Sequence, residues 1–529
     1  MASEMERMRQ RSQKAKQRGD WLEVVELLEK YRKALPDDKA AALDLGDALM
    51  KLERFDDACR FYAGLLETWP KDPLIASNLG GALLRCGKIE EAKTLLEYSL
   101  ELNPKNIYAR INLGGVYQTL RDYHGALKNS LEAVSIDPTH PLAFNNLGSA
   151  FSDLAKFEEA KHAYETAVML DPKSVDALIN LATTDVKLGN SKAAVDLFER
   201  VLQMLPPEAR QRSEAVRFYA SFEYLKLGDL ERGWSYYDGG FSPLVPPNGR
   251  RTPVRKFGVP EWRGELLQNK RLLVWREQGL GDEIMFGTCL ADLLLLDGCE
   301  VILETDSRMV SIWARTFPEF HVRPQSFDSD GRSPFKDFDL HIPIGSLPRV
   351  FRSSTQSFQD SPARLLEADP GKVAVAKLWL ERQGVTKPTV GVCWRSGLID
   401  PNRALEYSNL IDWAGVLGSQ KVEVVNLQYD DCEAELKLAE QKFGRRILRP
   451  PFNQKNDLED VLGLMKTLDF VVSAHTAVLH LSAYGGSKAI SVDPTDQLDW
   501  PYLGQKNLPW YKTVSRKKIG ELNSYCSIF

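Results

Sequence analysis

Long uncharged apolar runs are absent from this 529-residue sequence. Even its most apolar stretch, LADLLLL, carries Asp292, whereas a helix that crosses a bilayer needs about 20 mostly apolar residues in a row. The first residues are polar and charged, without an apolar segment before a small-residue cleavage site. We therefore expect no signal peptide and no membrane insertion, which favours a cytoplasmic protein.

Cysteine is scarce, and its spacing matches no metal or redox motif. The seven cysteines are odd in number and none forms a C-x-x-C pair, so the sequence predicts reduced thiols and no disulfide framework. H-E-x-x-H, the Walker loop and G-x-S-x-G are also absent. We expect no metal site and no bound cofactor.

Neither sign of charge dominates the chain. The 68 Lys and Arg residues against 73 Asp and Glu residues leave a net charge of -5, which provides no broad basic surface for nucleic acid. With 43% apolar residues, the chain can bury large cores, and its length predicts roughly three or four domains.

Glycine, alanine and proline each recur along the first part of the chain at one fixed interval. The tracks are Gly46, Gly80, Gly114 and Gly148; Ala58, Ala92, Ala126, Ala160 and Ala194; and Pro36, Pro70, Pro104, Pro138, Pro172 and Pro206. The small residues would let two antiparallel helices approach closely, and proline would mark the turn into the next unit. This interval, about 34 residues, is the signature of tetratricopeptide repeats, and this part of the chain resembles that family.

The resemblance implies an α-helical superhelix over residues 1–242. Its repeat units would span 5–38, 39–72, 73–106, 107–140, 141–174 and 175–208. A seventh helix pair over 218–241 would cap the repeats and join them to the next domain.

Polar residues occupy the sixth position of five successive units: Asp44, Asn78, Asn112, Asn146 and Asn180. Asparagine costs on the order of 0.6 kcal/mol against alanine inside a helix, and its amide can both donate to and accept from a peptide backbone. The four asparagines resemble the asparagine ladder of O-GlcNAc transferase, which implies a groove for a polypeptide. The alternative is that these amides form hydrogen bonds between neighbouring repeats.

Short apolar runs alternate with helical stretches after residue 260, which predicts two doubly wound parallel sheets. Predicted strands are 271–275, 300–304, 339–342, 389–394, 421–428, 469–473 and 488–492, and predicted helices are 283–296, 307–317, 408–418, 431–443, 457–467 and 477–484. Two such lobes are typical of the GT-B architecture of glycosyltransferases, here 243–380 on the acceptor side and 381–529 on the nucleotide-sugar side. The segment 351–387 would pass between them.

The loop WREQGLGDEIMF follows the first of these strands. It resembles the E-Q-G-L-G-D loop of bacterial tetratricopeptide glycosyltransferases and the G-D loop of ADP-heptosyltransferases. The resemblance assigns the role of general base to Asp282 and an acceptor-side loop to Gln278, Gly279 and Gly281. The alternative for Asp282 is helix capping.

A second loop follows the strand at 389–394 and carries Arg395, Ser396, Gly397 and Arg403. Guanidinium, hydroxyl and backbone N–H groups can stabilise the departing phosphate of a nucleotide. The alternative is that the two arginines are exposed surface residues without a ligand. The segment NLQYDD resembles the L-Q-Y-G-D segment of the bacterial family, which makes Gln428 and Tyr429 further candidates for the donor site.

A third loop, SAHTAVLHL, opens a helix with His475 and Thr476 and places His480 on the same face. Helix N-termini favour phosphate. Heptosyltransferases have Asp-Thr followed by His here, whereas O-GlcNAc transferase has a His-Thr pair at a comparable turn. His475 therefore departs from the first pattern, and His480 alone is also compatible with a packing histidine.

Asp328-Ser329-Asp330 spells D-x-D, the metal motif of another glycosyltransferase architecture. Turn-forming residues surround it, and no apolar strand precedes it. We interpret it as a solvated turn.

Together these resemblances imply a metal-independent protein O-glycosyltransferase that uses a nucleotide sugar and modifies Ser or Thr of a polypeptide. The similarity to heptosyltransferases implies inversion at the anomeric carbon. Flagellin is a candidate acceptor, because some bacterial relatives with this layout modify it. The alternatives are a tetratricopeptide scaffold with a degenerate transferase half, or a transferase for a saccharide or lipid-linked acceptor. The layout is also compatible with a homo-oligomer.

Overall fold

The computed structural model describes residues 2–247, 249–362, 364–397, 408–493 and 499–522. The chain divides into two compact units, 1–204 and 205–529. The predicted repeat domain, 1–242, therefore includes a helix pair that belongs to the second unit. No helix among the described residues is both long and apolar enough to cross a bilayer.

Six pairs of helices make up the first unit, of which every residue but the first is described. They are α1 (Ala2–Arg18) and α2 (Trp21–Ala34), α3 (Lys39–Lys51) and α4 (Phe55–Thr68), α5 (Pro73–Arg85) and α6 (Ile89–Leu102), α7 (Ile107–Thr119) and α8 (Tyr123–Ile136), α9 (Pro141–Asp153) and α10 (Phe157–Leu170), and α11 (Val175–Lys187) and α12 (Ser191–Met204). From the second pair onward, each helix pair lies within one predicted unit, so the predicted tetratricopeptide architecture is confirmed.

Side-chain caps begin several of the first helices, again at the interval of the repeat. The carboxylates of Asp38 and Asp72 accept the N–H groups of Ala41 and Ile75 at 3.0 and 3.1 Å. Asn106 and Ser174 accept in the same way in later units. Such caps satisfy N–H groups that have no partner inside the helix. The period therefore determines where helices start as well as how they pack.

The second unit begins with a helix pair and continues with alternating strands and helices. Its elements are α13 (Arg210–Lys226), α14 (Leu230–Tyr237), β1 (Lys270–Trp275), α15 (Leu280–Phe286), α16 (Leu290–Leu293), β2 (Cys299–Thr305), α17 (Val310–Thr316), β3 (His321–Pro324), β4 (Leu340–Pro343), α18 (Leu347–Phe351), α19 (Gln356–Asp360), α20 (Pro370–Arg382), β5 (Thr389–Cys393), α21 (Ala414–Leu417), β6 (Glu423–Asn426), α22 (Glu433–Phe443), α23 (Leu458–Met465), β7 (Phe470–Ser473), α24 (Ala477–Tyr484), β8 (Ala489–Asp493) and β9 (Val514–Lys518).

These strands form two sheets in which every pairing is parallel, as predicted. The first has the order β3-β2-β1-β4, and the second has the order β6-β5-β7-β8-β9. All seven predicted strands are present. The prediction missed β3 and β9, whose polar sequences HVRP and VSRKK bury only one residue each and so show no apolar run.

Two predictions about helices were wrong. The stretch 408–418 has only a short 3-10 turn and α21, since its buried Trp413 and Leu410 pack as a compact turn. The stretch 283–296 is not one helix, because a short 3-10 turn over Gly287–Cys289 separates α15 from α16. The segment 351–387, predicted only as a passage between lobes, contains the regular helix α20, which Asp369 caps.

Both sheets of the second unit share one hydrophobic core. Its buried members include Leu272 of β1 and Val471 of β7. Trp234 of α14 is 2% exposed, and its ring centroid lies 5.9 Å from that of Trp510 and 6.4 Å from that of Phe286. This aromatic cluster joins α14, α15 and the segment after β8, so the sheets form a single packed body.

We predict opposite effects from two glycine-to-alanine changes in the repeats. A β-carbon at Gly148 would lie 2.7 Å from the buried Tyr164 ring, and such overpacking costs about 1–3 kcal/mol. Gly148→Ala should therefore lower the free energy of unfolding by about 1 kcal/mol, after the gain in helix propensity. Gly64 in α4 is exposed and has open space around it, so Gly64→Ala should raise that free energy by about 1 kcal/mol. Urea titration of both variants checks this, and two stabilised variants would contradict it.

We also predict that His341 makes the second unit sensitive to acid. Its ring stacks on Phe257 with a centroid distance of 3.9 Å, and burial together with the Arg255 guanidinium lowers its pKa to about 4. The unfolded chain binds a proton near pH 6.5, so stability falls as the pH drops from about 6.5 towards 4.

His341→Gln should reduce the loss of unfolding free energy between pH 7 and 4.5 by about 2 kcal/mol. The control is His162→Gln, since the His162 side chain is 79% exposed. Denaturant titrations at the two pH values provide the measurement. An unchanged pH dependence in His341→Gln would refute the prediction.

Candidate functional site

The loops that follow β1 and β7 meet in the second unit. A β-carbon at Gly281 would lie 3.2 Å from Cδ2 of His480 and 3.4 Å from the backbone nitrogen of Ala477. Helices α15 and α24 therefore start side by side, at the carboxyl ends of their strands, where open parallel sheets bind ligands. Two of the three predicted loops, from different sheets, are thus brought together.

The β1 loop is held in place by hydrogen bonds on both of its sides. Gln278 has a positive φ of 59°; its backbone N–H donates to the carbonyl of Thr252 at 2.5 Å, and its side-chain amide donates to the Tyr237 hydroxyl at 2.5 Å. Gly279 then begins α15. A non-glycine residue in the left-handed region marks a conformation that the surrounding structure enforces.

Asp282 lies in the first turn of α15 and is half-buried. Its Oδ2 accepts the N–H of Gly279 at 3.1 Å. Asp282 therefore caps the helix, which was the alternative considered from the sequence. Its carboxylate reaches back from the third helical residue. Asp282 also lies close enough to Tyr237 and Tyr511 for its charge to raise the pKa of both phenols, after the larger effect of burial.

Two buried ion pairs support this loop, and sequence reasoning missed both. Arg251 is fully buried between the rings of Tyr237 and Phe241 and donates to Glu277 through Nε at 2.7 Å. The second pair joins Arg276 to Glu283, the residue after Asp282. One sequence signal could have indicated these ion pairs: the stretch WREQGLGDE is rich in charged residues and directly follows a buried strand. Charged residues are seldom buried unless they are paired.

Glu283 is itself fully buried, and burial raises its pKa. It accepts hydrogen bonds from Nε of Arg276 at 2.7 Å and from Nε1 of Trp313 at 3.1 Å. The hydroxyl of Thr305, at the end of β2, also donates to it. This carboxylate thus ties α15 to the neighbouring strand, and Asp282 is the more exposed of the two carboxylates.

The β7 loop contributes two histidines whose rings lie close together at a tilt of 45°. The ring centroids of His475 and His480 are 4.9 Å apart, and Nδ1 of His480 lies 2.9 Å from the Tyr511 hydroxyl. Burial lowers the pKa of both imidazoles, although Asp499 and Asp493 oppose this at His475. Both rings are therefore neutral at physiological pH. The packing role considered for His480 is present, since it is 5% exposed and hydrogen-bonded.

Thr476 precedes α24, but its side chain makes no capping hydrogen bond. Its hydroxyl lies 3.2 Å from Oγ of Ser473 and 3.6 Å from Sγ of Cys393. It therefore connects the carboxyl ends of β7 and β5, and the first N–H groups of α24 receive no cap from it.

The loop after β5 holds its predicted residues in internal contacts. Arg395 forms ion pairs with Asp430 and Glu435; burial lowers the pKa of Arg395, but these carboxylates raise it overall. Gln428 is buried and binds the backbone of Arg395. Arg403 lies outside the described residues.

Ser396 and Gly397 contact Tyr429 in the same loop. The N–H of Gly397 donates to the Tyr429 hydroxyl at 3.1 Å, and Oγ of Ser396 lies 3.4 Å from it. A β-carbon at Gly397 would lie 2.9 Å from the Tyr429 ring. Glycine is thus required here for close packing of the loop on the tyrosine.

In the repeats, the amide nitrogens of all four predicted groove residues donate to the preceding unit. Asn112 and Asn146 donate to the carbonyls of Ser77 and Ile111 at 3.5 and 3.1 Å. Asn180 donates to the side-chain oxygen of Asn145 at 3.0 Å, and Asn78 to the Tyr62 hydroxyl at 3.3 Å. The asparagine amides therefore form hydrogen bonds between neighbouring repeats, which was the alternative considered from the sequence.

Asn78 and Asn112 nevertheless also face a cavity of about 270 Å³. Its lining comprises Asp47, Met50, Tyr62, Asn78, Gly81, Leu84, Arg85 and Asn112. Each asparagine is half-buried, so the amide can contact the neighbouring repeat and border open space at once. The two interpretations of the asparagines are compatible.

A larger groove, of about 750 Å³, lies away from all of these residues. Its lining comprises Arg364, Leu365, Leu366, Glu367, Ala368, Pro370, Val373 and Lys466. No predicted site residue contributes to it. The larger of the two cavities is therefore not at the point where the β1 and β7 loops meet.

The D-x-D sequence forms a turn, as predicted. Oδ1 of Asp328 accepts the N–H groups of Asp330 and Arg332 at 2.9 and 2.8 Å, and Gly331 has a positive φ of 79°. In the part of the chain that the structure describes, no three His, Cys, Asp or Glu residues are grouped for a metal ion.

We predict that the asparagine bonds between repeats stabilise the first unit. Asn146→Asp keeps size and helix propensity but replaces the donor with a carboxylate that faces the Ile111 carbonyl, so it should cost about 1–3 kcal/mol of unfolding free energy. Asn103→Asp is the control, because Asn103 is exposed and its side-chain oxygen is an acceptor. Urea titration measures both. Equal stabilities of the two variants would contradict the prediction.

Comparison with known proteins agrees with the repeats. Family models for the tetratricopeptide repeat match residues 15–80 and 153–220 and residues 107–140. Protein FlbA of Caulobacter vibrioides is 32% identical over 343 residues, which are 61% of this chain and 56% of FlbA. The chain therefore spans little more than half the length of this relative.

The solved structures to which parts of this chain are similar include repeat proteins of low sequence identity. MamA from Desulfovibrio magneticus RS-1 is 23% identical with a TM-score of 0.27, covering 32% of this chain and 95% of its own. TTC0263, a tetratricopeptide protein from Thermus thermophilus, is 20% identical with a TM-score of 0.31, covering 33% and 96%. Because these TM-scores are low, the similarity to solved structures does not identify the fold of this chain. The family matches and the helix pairs together identify the first part of the chain as a tetratricopeptide repeat domain.

Proposed function

We propose that the chain is a metal-independent glycosyltransferase with a polypeptide acceptor and a nucleotide-sugar donor. The observation that supports this most is the contact between Gly281 and the start of α24. It puts a half-buried carboxylate from one parallel sheet beside the uncapped helix start and neutral histidines of the other. The GT-B architecture is part of the same proposal.

In this mechanism Asp282 is the general base. It takes the proton from a Ser or Thr hydroxyl of the acceptor as that oxygen attacks the anomeric carbon of the donor sugar. The bond from the anomeric carbon to the nucleotide phosphate breaks, and the phosphate leaves with its electron pair. The hydrogen bond from Gly279 N–H holds the Asp282 carboxylate in one orientation at the start of α15.

The leaving phosphate would bind at the start of α24. N–H groups and the helix dipole favour an anion there. The neutral imidazole of His480, which Tyr511 holds, would lie next to the phosphate and donate a hydrogen bond to it. The phosphate-binding role that the sequence suggested for Arg395 requires its guanidinium to exchange a carboxylate partner, Asp430 or Glu435, for the phosphate.

The repeats would hold the acceptor polypeptide. Tetratricopeptide repeats suit this role because a superhelix of helix pairs presents an extended concave surface. The cavity that Asn78 and Asn112 border, with Asp47 and Arg85, offers both hydrogen-bond acceptors and donors to a peptide backbone. Flagellin is the first acceptor to test.

The second candidate function is a protein-interaction scaffold with an inactive transferase half. Two observations favour it: Asp282 accepts a capping hydrogen bond, and Arg395 is paired with Asp430 and Glu435. A transferase for a saccharide or lipid-linked acceptor is a third candidate, in which the repeats would serve assembly.

We predict that Asp282→Asn lowers sugar transfer to the acceptor at least about 100-fold, the usual contribution of a general base. Asparagine keeps an oxygen that can accept from Gly279, so the melting temperature should stay close to that of the wild type. Co-expression with flagellin and other candidate acceptors, followed by intact-mass measurement, gives the readout.

Asp328→Asn is the matched control, because Asp328 is an exposed turn residue. It should transfer sugar at the wild-type rate. Equal transfer by wild type and Asp282→Asn would remove Asp282 from the mechanism. Absence of nucleotide-sugar binding and hydrolysis by the wild type across a full donor panel would establish the scaffold instead.

A further inference from the structure

Two cysteines from neighbouring repeats lie in contact. Cys59 is in α4, Cys86 is the residue that ends α5, and their Sγ atoms are 3.4 Å apart. Both side chains are half-buried, so small reagents can reach them. Among the cysteines that the structure describes, Cys289, Cys393 and Cys432 are buried, and Cys299 lies in the other unit on β2.

We propose that Cys59 and Cys86 form a thiol–disulfide modification site that reacts with low-molecular-weight disulfides such as glutathione disulfide. The Cys86 thiolate attacks one sulfur of glutathione disulfide, which forms a mixed disulfide and releases one glutathione thiolate. The Cys59 thiolate then attacks Sγ of Cys86, which forms the internal disulfide and releases the second glutathione. Two protein thiols are oxidised, and one glutathione disulfide is reduced to two thiols.

The local geometry allows the bond to close. A disulfide needs about 2 Å between the sulfurs, so the two atoms must approach by little more than about 1 Å. Cys86 is followed by Gly87, which has a positive φ of 76° and no neighbouring atom within 4 Å of where a β-carbon would be. The chain can therefore adjust at this turn without disturbing the core.

The surroundings of the pair make the closing step slow at neutral pH. Burial and the neighbouring Cys86 raise the pKa of the Cys59 thiol to about 12, with Asp56 acting in the same direction and Lys88 in the opposite one. Oxygen Oδ1 of Asp56 also accepts from Sγ of Cys86 at 3.6 Å. Because the thiolate is the nucleophile, the rate of closure should rise nearly tenfold for each pH unit between 7 and 9.

The bond would connect two of the helices that line the cavity of the first unit. Helix α4 contributes Tyr62 to that cavity, and α5 contributes Asn78 and Arg85. A disulfide from α4 to the end of α5 would restrain their separation. It would also restrict the unfolded chain, so the oxidised protein should melt a few degrees higher than the reduced one.

The test uses the full chain. Wild-type protein is incubated with glutathione disulfide at pH 8.5 under native conditions, its remaining thiols are alkylated, and tryptic peptides are analysed by mass spectrometry. The expected product is peptide 55–60 linked to peptide 86–88, together with a raised melting temperature that dithiothreitol reverses. Cys59→Ser should stop at a glutathione adduct, and Cys299→Ser should form the link as the wild type does.

Two results would overturn the proposal. One is wild-type protein whose Cys59 and Cys86 are both alkylated after the incubation. The other is a persistent glutathione adduct at Cys86 without closure, which would mean that the two sulfurs do not reach bonding distance. Neither result depends on whether the second unit transfers sugar.

Discussion

Close approach of backbones at residues without a β-carbon is the constraint on which both units depend. In the repeats, β-carbons at Gly46, Gly80 and Gly148 would lie within 3 Å of Tyr62, Leu96 and Tyr164 respectively. In the second unit, a β-carbon at Gly281 would lie 3.2 Å from His480, a less severe crowding between α15 and the start of α24. Packing at native density leaves no space for an added methyl group at such places. The repeat stack and the meeting of the two loops have the same physical origin.

Most polar groups of the candidate site are held in place by contacts within the fold. Glu283, Glu277 and Arg251 are buried and paired, and they hold the loop that presents Asp282. The histidines of the β7 loop are neutral because they are buried, and Tyr511 orients His480. Catalysis by such a site would rest on preorganisation, since its groups are already fixed before a ligand binds.

Several residues satisfy a structural and a functional interpretation at the same time. Asp282 caps a helix and is a half-buried carboxylate beside α24, and Asn112 connects two repeats and borders a cavity. A structural role therefore does not argue against a functional one. It explains instead why the residue is rigid, which a binding or catalytic group needs.

The sequence by itself determined the repeat architecture, the two parallel sheets and the loops in which the candidate residues lie. The repeat period and the runs of apolar residues are local patterns, so they are visible without any coordinates. The prediction missed strands β3 and β9 because each buries a single residue, so neither has the apolar run that marks the other strands. Only the tertiary structure decided the partners of each side chain: that Arg395 faces two carboxylates, that the asparagine amides reach the preceding repeat, and that Cys59 touches Cys86. Those contacts join residues far apart in the chain, and their distances follow from how the helices pack, which no local pattern records.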